Sequence, residues 1–449
     1  MMLDMTLDRA AEICGATLCG CGDGTMRLNE MVIDSRKVGP GDLFAAFKGE
    51  HTDGHDYIDA AFRRGAACCL AERIPEGEMR PILLVENVQK AMGKIAAAHR
   101  QALQIPVIGI TGSVGKTSAK EMIAAVLERR YPILKTEGNL NNQLGVPMTV
   151  SRISPEHRAA VVEMGISGFG EMTELAQIVR PTIGVFTMIG QAHLEFLHDR
   201  AGVFRAKTEM LREMTEDGVV IVNGDDDMLS GLECRQRKIC FGVGQNCDVR
   251  AEELQVDDKG RYSCRIVWGS RQIPVQIPAI GKHMIYAALE GAAVGIVLGL
   301  SDEEIRDGIA SYRPVGSRSA LTQTAYLTLI DDCYNANPDS VKSGIESLKE
   351  LPGRHVCVLG DMLELGEQKH EMHRQIGAYA VEQGIDLLLC TGALGADIAE
   401  GAGKIGRWFP DKENLVAALP GLIREGDCVL VKASRGMHFE SIAQALKEL

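Results

Sequence analysis

The run Thr111-Gly112-Ser113-Val114-Gly115-Lys116-Thr117-Ser118 joins an apolar stretch, Val107 to Thr111, to a helical one, Lys116 to Arg130, and carries two glycines, a lysine and four hydroxyl residues. Glycines at these positions let the backbone wrap closely, so that successive N–H groups point inward while the positive end of the helix stands behind them. That is the chemistry of a phosphate cradle. Lys116 is expected to reach the β- and γ-phosphates of a nucleotide, and Thr117 to offer its hydroxyl to Mg²⁺. The strict G-x-x-x-x-G-K-[ST] spacing is not met, because position 110 is Ile. The strand-loop-helix context supplies what the pattern lacks.

Other residues with chemical capacity sit at the ends of apolar runs. Glu163 follows Ala159 to Val162, where an unpaired carboxylate is costly unless a cation or a donor meets it. His193 follows the run Ile183 to Thr187; a lone histidine is more often structural than a ligand. The segment Thr136 to Pro147 carries Asn139, Asn141 and Asn142, suited either to reading carbonyls and amides of a ligand or to an Asx-rich turn. Lys207 lies in Ala206-Lys207-Thr208-Glu209. Asp331-Asp332-Cys333-Tyr334-Asn335-Ala336-Asn337-Pro338 and Val358 to Gly366 again place acids beyond apolar runs.

The elements that must position these residues divide the 449-residue chain into about three domains, at roughly 150 residues each. Residues 1–104 read as a small α/β module, with strands at Glu30 to Ile33 and Leu43 to Phe47 and a helix at Val88 to Ala102. Residues 105–314 alternate apolar strands (Val107 to Thr111, Ala159 to Val162, Ile183 to Thr187, Val219 to Val222) with helices, the pattern of a doubly wound, mainly parallel sheet. An antiparallel β insertion is expected at Cys247 to Ile277. In residues 315–449 the rhythm restarts with Leu327 to Asp331, Val356 to Leu359, Leu387 to Cys390 and Cys428 to Val431. A third, Rossmann-like domain is expected there, without the G-x-G-x-x-G of a dinucleotide site.

Composition narrows the function classes. A hydrophobic content of 45% with 24% charged residues is that of an ordinary globular protein. A net charge of -13 opposes sequence-independent nucleic-acid binding, which needs a basic face. No run approaches the ~20 apolar residues of a membrane span, and Asp4, Asp8 and Glu12 stand where a signal peptide would be apolar. A cytoplasmic protein, without membrane insertion, is expected. The 13 cysteines are scattered, odd in number and without a Cys-x-x-Cys pair, so buried thiols are expected.

Taken together, the Thr-Gly-Ser-x-Gly-Lys-Thr loop, Gly-Asn-x-Asn-Asn-Gln-x-Gly-x-Pro at 138–147, Asp-x-Tyr-Asn-Ala-Asn-Pro at 332–338 and Leu-Gly-Asp-Met-x-Glu-Leu-Gly at 359–366 resemble the Mur ligase superfamily. The likeness covers nearly the whole chain, including Asp34-Ser35-Arg36, Gly41-Asp42-Leu43-Phe44 and Asp53-Gly54-His55. The last two of the four segments narrow it to the branch that adds D-alanyl-D-alanine to UDP-N-acetylmuramoyl-tripeptide. The resemblance implies an ATP-dependent ligation through an acyl phosphate, with Mg²⁺ and small-molecule substrates; a monomer is expected. It implies catalytic roles for Lys116, His193 and Lys207. ATP would meet Gly112 to Ser118, His283, Arg318 and Asp332. One Mg²⁺ would rest on Thr117 and Glu163, a second on His193 and a carbamylated Lys207. Ser35 and Arg36 would contact the uridine diphosphate, Asn139, Asn141 and Asn142 would face substrate and nucleotide, and Asn335 and Asn337 would fix the domain interface or the amino substrate. The chain departs from the family where Gly-x-His-Asn-x-x-Asn-Ala becomes Gly281-Lys282-His283-Met284-Ile285-Tyr286-Ala287-Ala288, and where Ala433 replaces a common glycine. The third residue of the peptide, diaminopimelate or lysine, is left to pocket geometry.

Overall fold

All five residues of Val107–Thr111 are buried, as a strand without polar alternation must be when both faces of its sheet are covered. The computed structural model describes residues 2–49 and 52–449. In it this strand lies inside a nine-stranded sheet, parallel to Ile183–Phe186 on one side and to Ala159–Glu163 on the other. Val219–Asn223 and Arg237–Gly242 extend the first side and Ile133–Lys135 the second. Strand order therefore reverses at Val107–Thr111, which opens a crevice at the carboxyl ends of the strands there.

The expected β insertion is an extension of the same sheet. Val249–Val256 joins parallel to Arg237–Gly242, and Arg261–Trp268 and Arg271–Ile280 follow as antiparallel neighbours. Burial alternates along most of Arg271–Ile280, because one face packs on the core and the other is solvated. The helix after the phosphate loop ends at Leu127, three residues earlier than its apolar pattern suggests, with Pro132 close behind; the residue before a proline is pushed out of the helical region.

The N-terminal sheet has five strands in the order Thr17–Cys19, Ile82–Leu84, Cys68–Ala71, Leu43–Ala46, Met31–Val32, parallel except at the first pair. Helix Val88–Gln101, capped by the Asn87 side chain on Lys90 N, ties it to the central domain. Near its end, the buried His99 ring meets Ile153 O and accepts from Leu3 N. The buried Arg100 guanidinium donates to Val179 O and Leu103 O, and desolvation lowers its pKa.

The third sheet runs Ala320–Gln323, Thr328–Asp331, Cys428–Lys432, His355–Leu359, Leu387–Thr391, Gly406–Phe409. Its first pair is antiparallel and the others parallel. Among the described residues no helix is long and apolar enough to cross a membrane. The thirteen cysteines are free thiols, most of them buried.

Candidate active site

The phosphate loop is built by close backbone approach. Gly112 has φ +151°, and a Cβ there would lie 1.8 Å from Thr187 Oγ1; Gly115, at φ +88°, is the N-cap of helix Lys116–Leu127. Neither a side-chain cap nor an acidic residue occupies the first turn of that helix, so its N–H groups and positive dipole remain for an anion. The loop is pinned from the neighbouring strand end. Ser113 N donates to Met188 O, Gly190 N donates to Ser113 Oγ at 2.9 Å, and Thr187 Oγ1 donates to Val114 O. Lys116 Nζ folds back to within 2.7 Å of Gly112 O.

Glu163 is 1% exposed and is the carboxylate facing this loop. Thr117 Oγ1 donates to its Oε2 at 2.9 Å and Asn141 Nδ2 to its Oε1 at 2.8 Å. The Lys120 ammonium, occupied by Thr136 O and Glu121, stands 4.0 Å away. A hydroxyl and a carboxylate side by side next to a phosphate cradle suit a small hard cation. No group of three or more His, Cys, Asp or Glu gathers into a metal cluster among the described residues. A cation here would draw its remaining ligands from phosphate oxygens and water, as Mg²⁺ does.

Lys207 lies on helix Arg200–Thr208 and is 1% exposed. Among the described residues its amine has no hydrogen-bond or ion-pair partner. Burial, reinforced by the charge of Lys116, pushes its pKa far down. Lys116 is itself lowered by burial, opposed by Glu163 and reinforced by Arg318. An amine held neutral is a nucleophile.

His193 (φ +56°) sits where the strand-end segment turns into a short helix, Leu194–Leu197. Its Nδ1 lies 2.5 Å from Glu364 Oε2 of the third domain, and Glu195 N donates to Glu364 O. The hydrogen bond holds the Glu364 carboxyl below its usual range. Two residues earlier, Gln191 N donates to Asp339 Oδ2 at 2.6 Å. The segment that pins the phosphate loop is thus also the one the third domain grips. Arg318 stacks over the Tyr334 ring, 3.7 Å from its centroid. Asp332 takes the buried Lys432 ammonium at 2.5 Å and Ser319 N at 2.9 Å. His283 begins helix His283–Val297, 3.3 Å from Ser343 Oγ of the third domain, with its pKa lowered by burial. Gly281 permits this approach, since a Cβ there would lie 2.2 Å from Ser347 Oγ.

The remaining residues singled out in the sequence stand elsewhere or are otherwise engaged. Ser118 faces the Tyr312 hydroxyl. Asn142 Oδ1 accepts from Leu144 N and Gly145 N, holding the start of helix Gly145–Ser151, while Asn139 is exposed on the preceding turn. Asn337 caps helix Pro338–Lys349 in a reciprocal pair with Ser340, and Asn335 O accepts from Lys432. Ser35 and Arg36 lie in the N-terminal domain, where exposed Arg36 makes a two-pronged pair with Asp34. Met284 and Ala287 are buried within the central apolar core. Sequence reading missed Thr187, Asp339, Glu364 and Lys432 as members of the site. Thr187 and Glu364 fell within quoted runs and Asp339 and Lys432 one position beyond them, and nothing else marked them, because their partners are far away in the chain.

Comparison with known proteins agrees with this geometry. Three family models match: Mur ligase family, catalytic domain, over residues 27–108; Mur ligase middle domain over 110–295; and Mur ligase, glutamate ligase domain, over 317–435. The UDP-N-acetylmuramoyl-tripeptide--D-alanyl-D-alanine ligase of Bacillus subtilis (strain 168) is 35% identical, covering 100% of this chain and 99% of that one. Its namesake in Escherichia coli (strain K12) is 36% identical, with the same coverage. The crystal structure of MurF from Acinetobacter baumannii superposes with a TM-score of 0.91 at 30% identity, over 99% of both chains. MurF ligase from Thermotoga maritima, solved in complex with ADP, gives a TM-score of 0.83 at 28% identity, over 94% of this chain and 97% of that one. With family models across all three sheets and relatives that align end to end, the chain belongs to the Mur ligase family.

Proposed function

We propose that this protein is an ATP-dependent ligase that joins D-alanyl-D-alanine to UDP-N-acetylmuramoyl-tripeptide in the cytoplasmic synthesis of peptidoglycan precursor. The observation that carries this reading is the end-to-end likeness, at 35% and 36% identity, to two ligases of that name. The presence of Lys116, Glu163, His193 and Lys207 in the chain supports it.

In this reading a carboxylate oxygen of the tripeptide attacks the γ-phosphorus of ATP, and the bond to ADP breaks. The resulting acyl phosphate is attacked by the amine of D-alanyl-D-alanine; the tetrahedral adduct loses phosphate and the nitrogen gives up a proton. Backbone N–H groups of residues 112–117 hold the phosphates and Lys116 follows the charge that moves between them, the electrostatic work on which phosphoryl transfer depends. Thr117 and Glu163 would hold one Mg²⁺, and His193 and carbamylated Lys207 a second, and these ions would supply further neutralisation of that charge. The carbamate forms when the neutral Lys207 amine attacks carbon dioxide, making an N–C bond and releasing a proton. An uncharged, unpartnered amine is suited to that step, and its product is an anion where a cation is needed.

Arg318, Asp332 and His283 serve the nucleotide from the domain boundary. Ser35 and Arg36 serve the uridine diphosphate, Asn139, Asn141 and Asn142 face substrate and nucleotide, and Asn335 and Asn337 fix the domain interface or the amino substrate. On this assignment residues 1–104 bind the UDP substrate, 105–314 carry the ATPase and 315–449 close the site. D-alanyl-D-alanine would enter the cleft of about 830 Å³ lined by Leu194, Glu195, His198 and the loop Met362 to Lys369. Its acidic and basic side chains suit a zwitterion.

The test is phosphate release from ATP with Mg²⁺, UDP-N-acetylmuramoyl-tripeptide and D-alanyl-D-alanine, each omitted in turn, with product mass measured. Turnover requiring both substrates and yielding the pentapeptide is expected, and tripeptides ending in diaminopimelate or lysine can be compared directly. ATP binding without turnover on either tripeptide would overturn the reading.

A further inference from the structure

We propose that Glu364 is a positioning residue that orients His193 for the reaction, and does so only when the third domain is docked. The inference rests on the ligase reading for its activity arm and on geometry alone for its structural arm.

The loop that carries Glu364 is anchored inside the third domain up to the residue before it. Asp361 Oδ1 accepts from Leu394 N, Met362 N donates to the buried His373 ring, and Leu363 N donates to Ser434 Oγ. Glu364 then turns outward with φ +62°, a conformation that non-glycine residues adopt at a cost. It meets His193, itself at φ +56°, so that two left-handed residues face one another across the domain boundary. Such backbone strain persists where its surroundings over-determine it and clusters at functional sites. The contact has two parts, Glu364 Oε2 to His193 Nδ1 at 2.5 Å and Glu195 N to Glu364 O at 3.2 Å. Among the described residues the Glu364 carboxylate has no other partner.

The consequence lies in the imidazole. A carboxylate on Nδ1 fixes the proton there, so the lone pair of Nε2 is presented outward at a set angle. Among the described residues no central-domain group bonds His193 Nδ1, so in an undocked molecule the ring is free to take the other tautomer and other rotamers. The glutamate in the run Asp361-Met362-Leu363-Glu364-Leu365-Gly366 therefore couples domain docking to the state of a residue 171 positions earlier in the chain.

Two variants separate positioning from a merely structural clasp. Glu364→Gln keeps an oxygen that can accept from Nδ1–H; Glu364→Ala removes it. The first readout is the ¹⁵N spectrum of histidine-labelled protein with ADP, recorded about two pH units above the ordinary histidine value of about 6.5, with the His193 signals identified by their loss in His193→Gln. The expected result is an Nδ1-protonated His193 in the wild type and in Glu364→Gln, and loss of that tautomer in Glu364→Ala. The second readout is kinetic: kcat falls by about 10- to 100-fold in Glu364→Ala with little change in KM for ATP, and Glu364→Gln recovers most of it. An unchanged tautomer in Glu364→Ala overturns the proposal, as does a loss confined to KM. A wild type that shows the Nδ1 tautomer but ligates neither tripeptide defeats the ligase reading while the positioning of His193 stands.

Discussion

Two buried ionisable side chains, Lys207 and Glu290, lack any ion pair among the described residues, and burial pushes the pKa of each toward its neutral form. For Lys207 that burial suits the proposed carbamate, whose formation needs a neutral amine. Lys207→Arg, which stays charged and cannot form one, is expected to lower kcat by about 10²-fold or more, the scale of losing one electrostatic contact to a transition state. ATP binding, measured by calorimetry, should persist. Removing carbon dioxide and then adding bicarbonate should restore the wild type and leave the variant unchanged. Glu290 in helix His283–Val297 has the opposite signature, a carboxyl driven well above its ordinary 4.5 by burial. A raised acid pKa means that the folded state holds a proton which the unfolded chain releases above about 4.5. Wild-type stability should therefore fall, relative to Glu290→Gln, as pH rises above that value, by at most about 1.4 kcal/mol per pH unit. Urea melts of both proteins at several pH values check this; parallel curves would refute it. The sequence named Lys207 only through family likeness, and Glu290 not at all, because burial of a single charge inside a helix leaves no mark in residue order.

At the scale of elements, the strands and helices around the phosphate loop were legible because fully apolar runs of about five residues, bounded by glycine and asparagine, have few other uses. Strands that sequence reading passed over include interior ones, Cys68–Ala71, Ile82–Leu84 and Arg237–Gly242, as well as edge strands. Ala320–Gln323 and Gly406–Phe409 are half exposed and carry Gln, Thr, Arg and Trp, so their pattern differs little from that of a loop. Asn337 illustrates a role read differently in the two views. The family resemblance implied that it fixes the domain interface or the amino substrate, and the structure engages its side chain as a helix cap on Ser340 N at 2.8 Å. Asn337→Ala should cost about 1 kcal/mol of stability, visible as a lowered Tm; activity loss at unchanged Tm would favour a direct substrate role instead. Gly112→Ala acts through packing. The added methyl meets Thr187 Oγ1 at 1.8 Å in a backbone conformation that disfavours any side chain. The loop must then shift, and ATP affinity should fall at least about tenfold while the far sheet keeps its fold. Double substitution Gly112→Ala with Thr187→Ala should recover part of that loss, because one of the two obstacles is gone.

At the scale of the whole molecule, the third domain holds the central one at a segment that itself supports the phosphate loop. Asp339, in the first turn of helix Pro338–Lys349, accepts from Gln191 N at 2.6 Å, and Gly190, next to Gln191, exchanges hydrogen bonds with Ser113. The chain from phosphate loop to third domain is thus two residues long on the central side. None of it was visible in the sequence, since Gln191 and Asp339 lie 148 positions apart. The N-terminal domain is held differently, through buried His99 and Arg100 bonds to backbone carbonyls, which leaves little room for it to swing. Domain motion should therefore concentrate between the central and third domains. A hydrogen bond to a charged group contributes about 1.5–3 kcal/mol, so Asp339→Ala should raise the population of undocked molecules by roughly 10- to 150-fold. Small-angle scattering with an ATP analogue reads this as a larger radius of gyration in the variant than in the wild type. The removed carboxylate also favours the N-terminus of its own helix, by about 0.3–1 kcal/mol, so the far-ultraviolet spectrum and Tm are recorded alongside. An expanded molecule with unchanged helix content locates the effect at the interface; an unchanged radius with a lowered Tm would confine Asp339 to its helix and leave docking to His193 and Glu364.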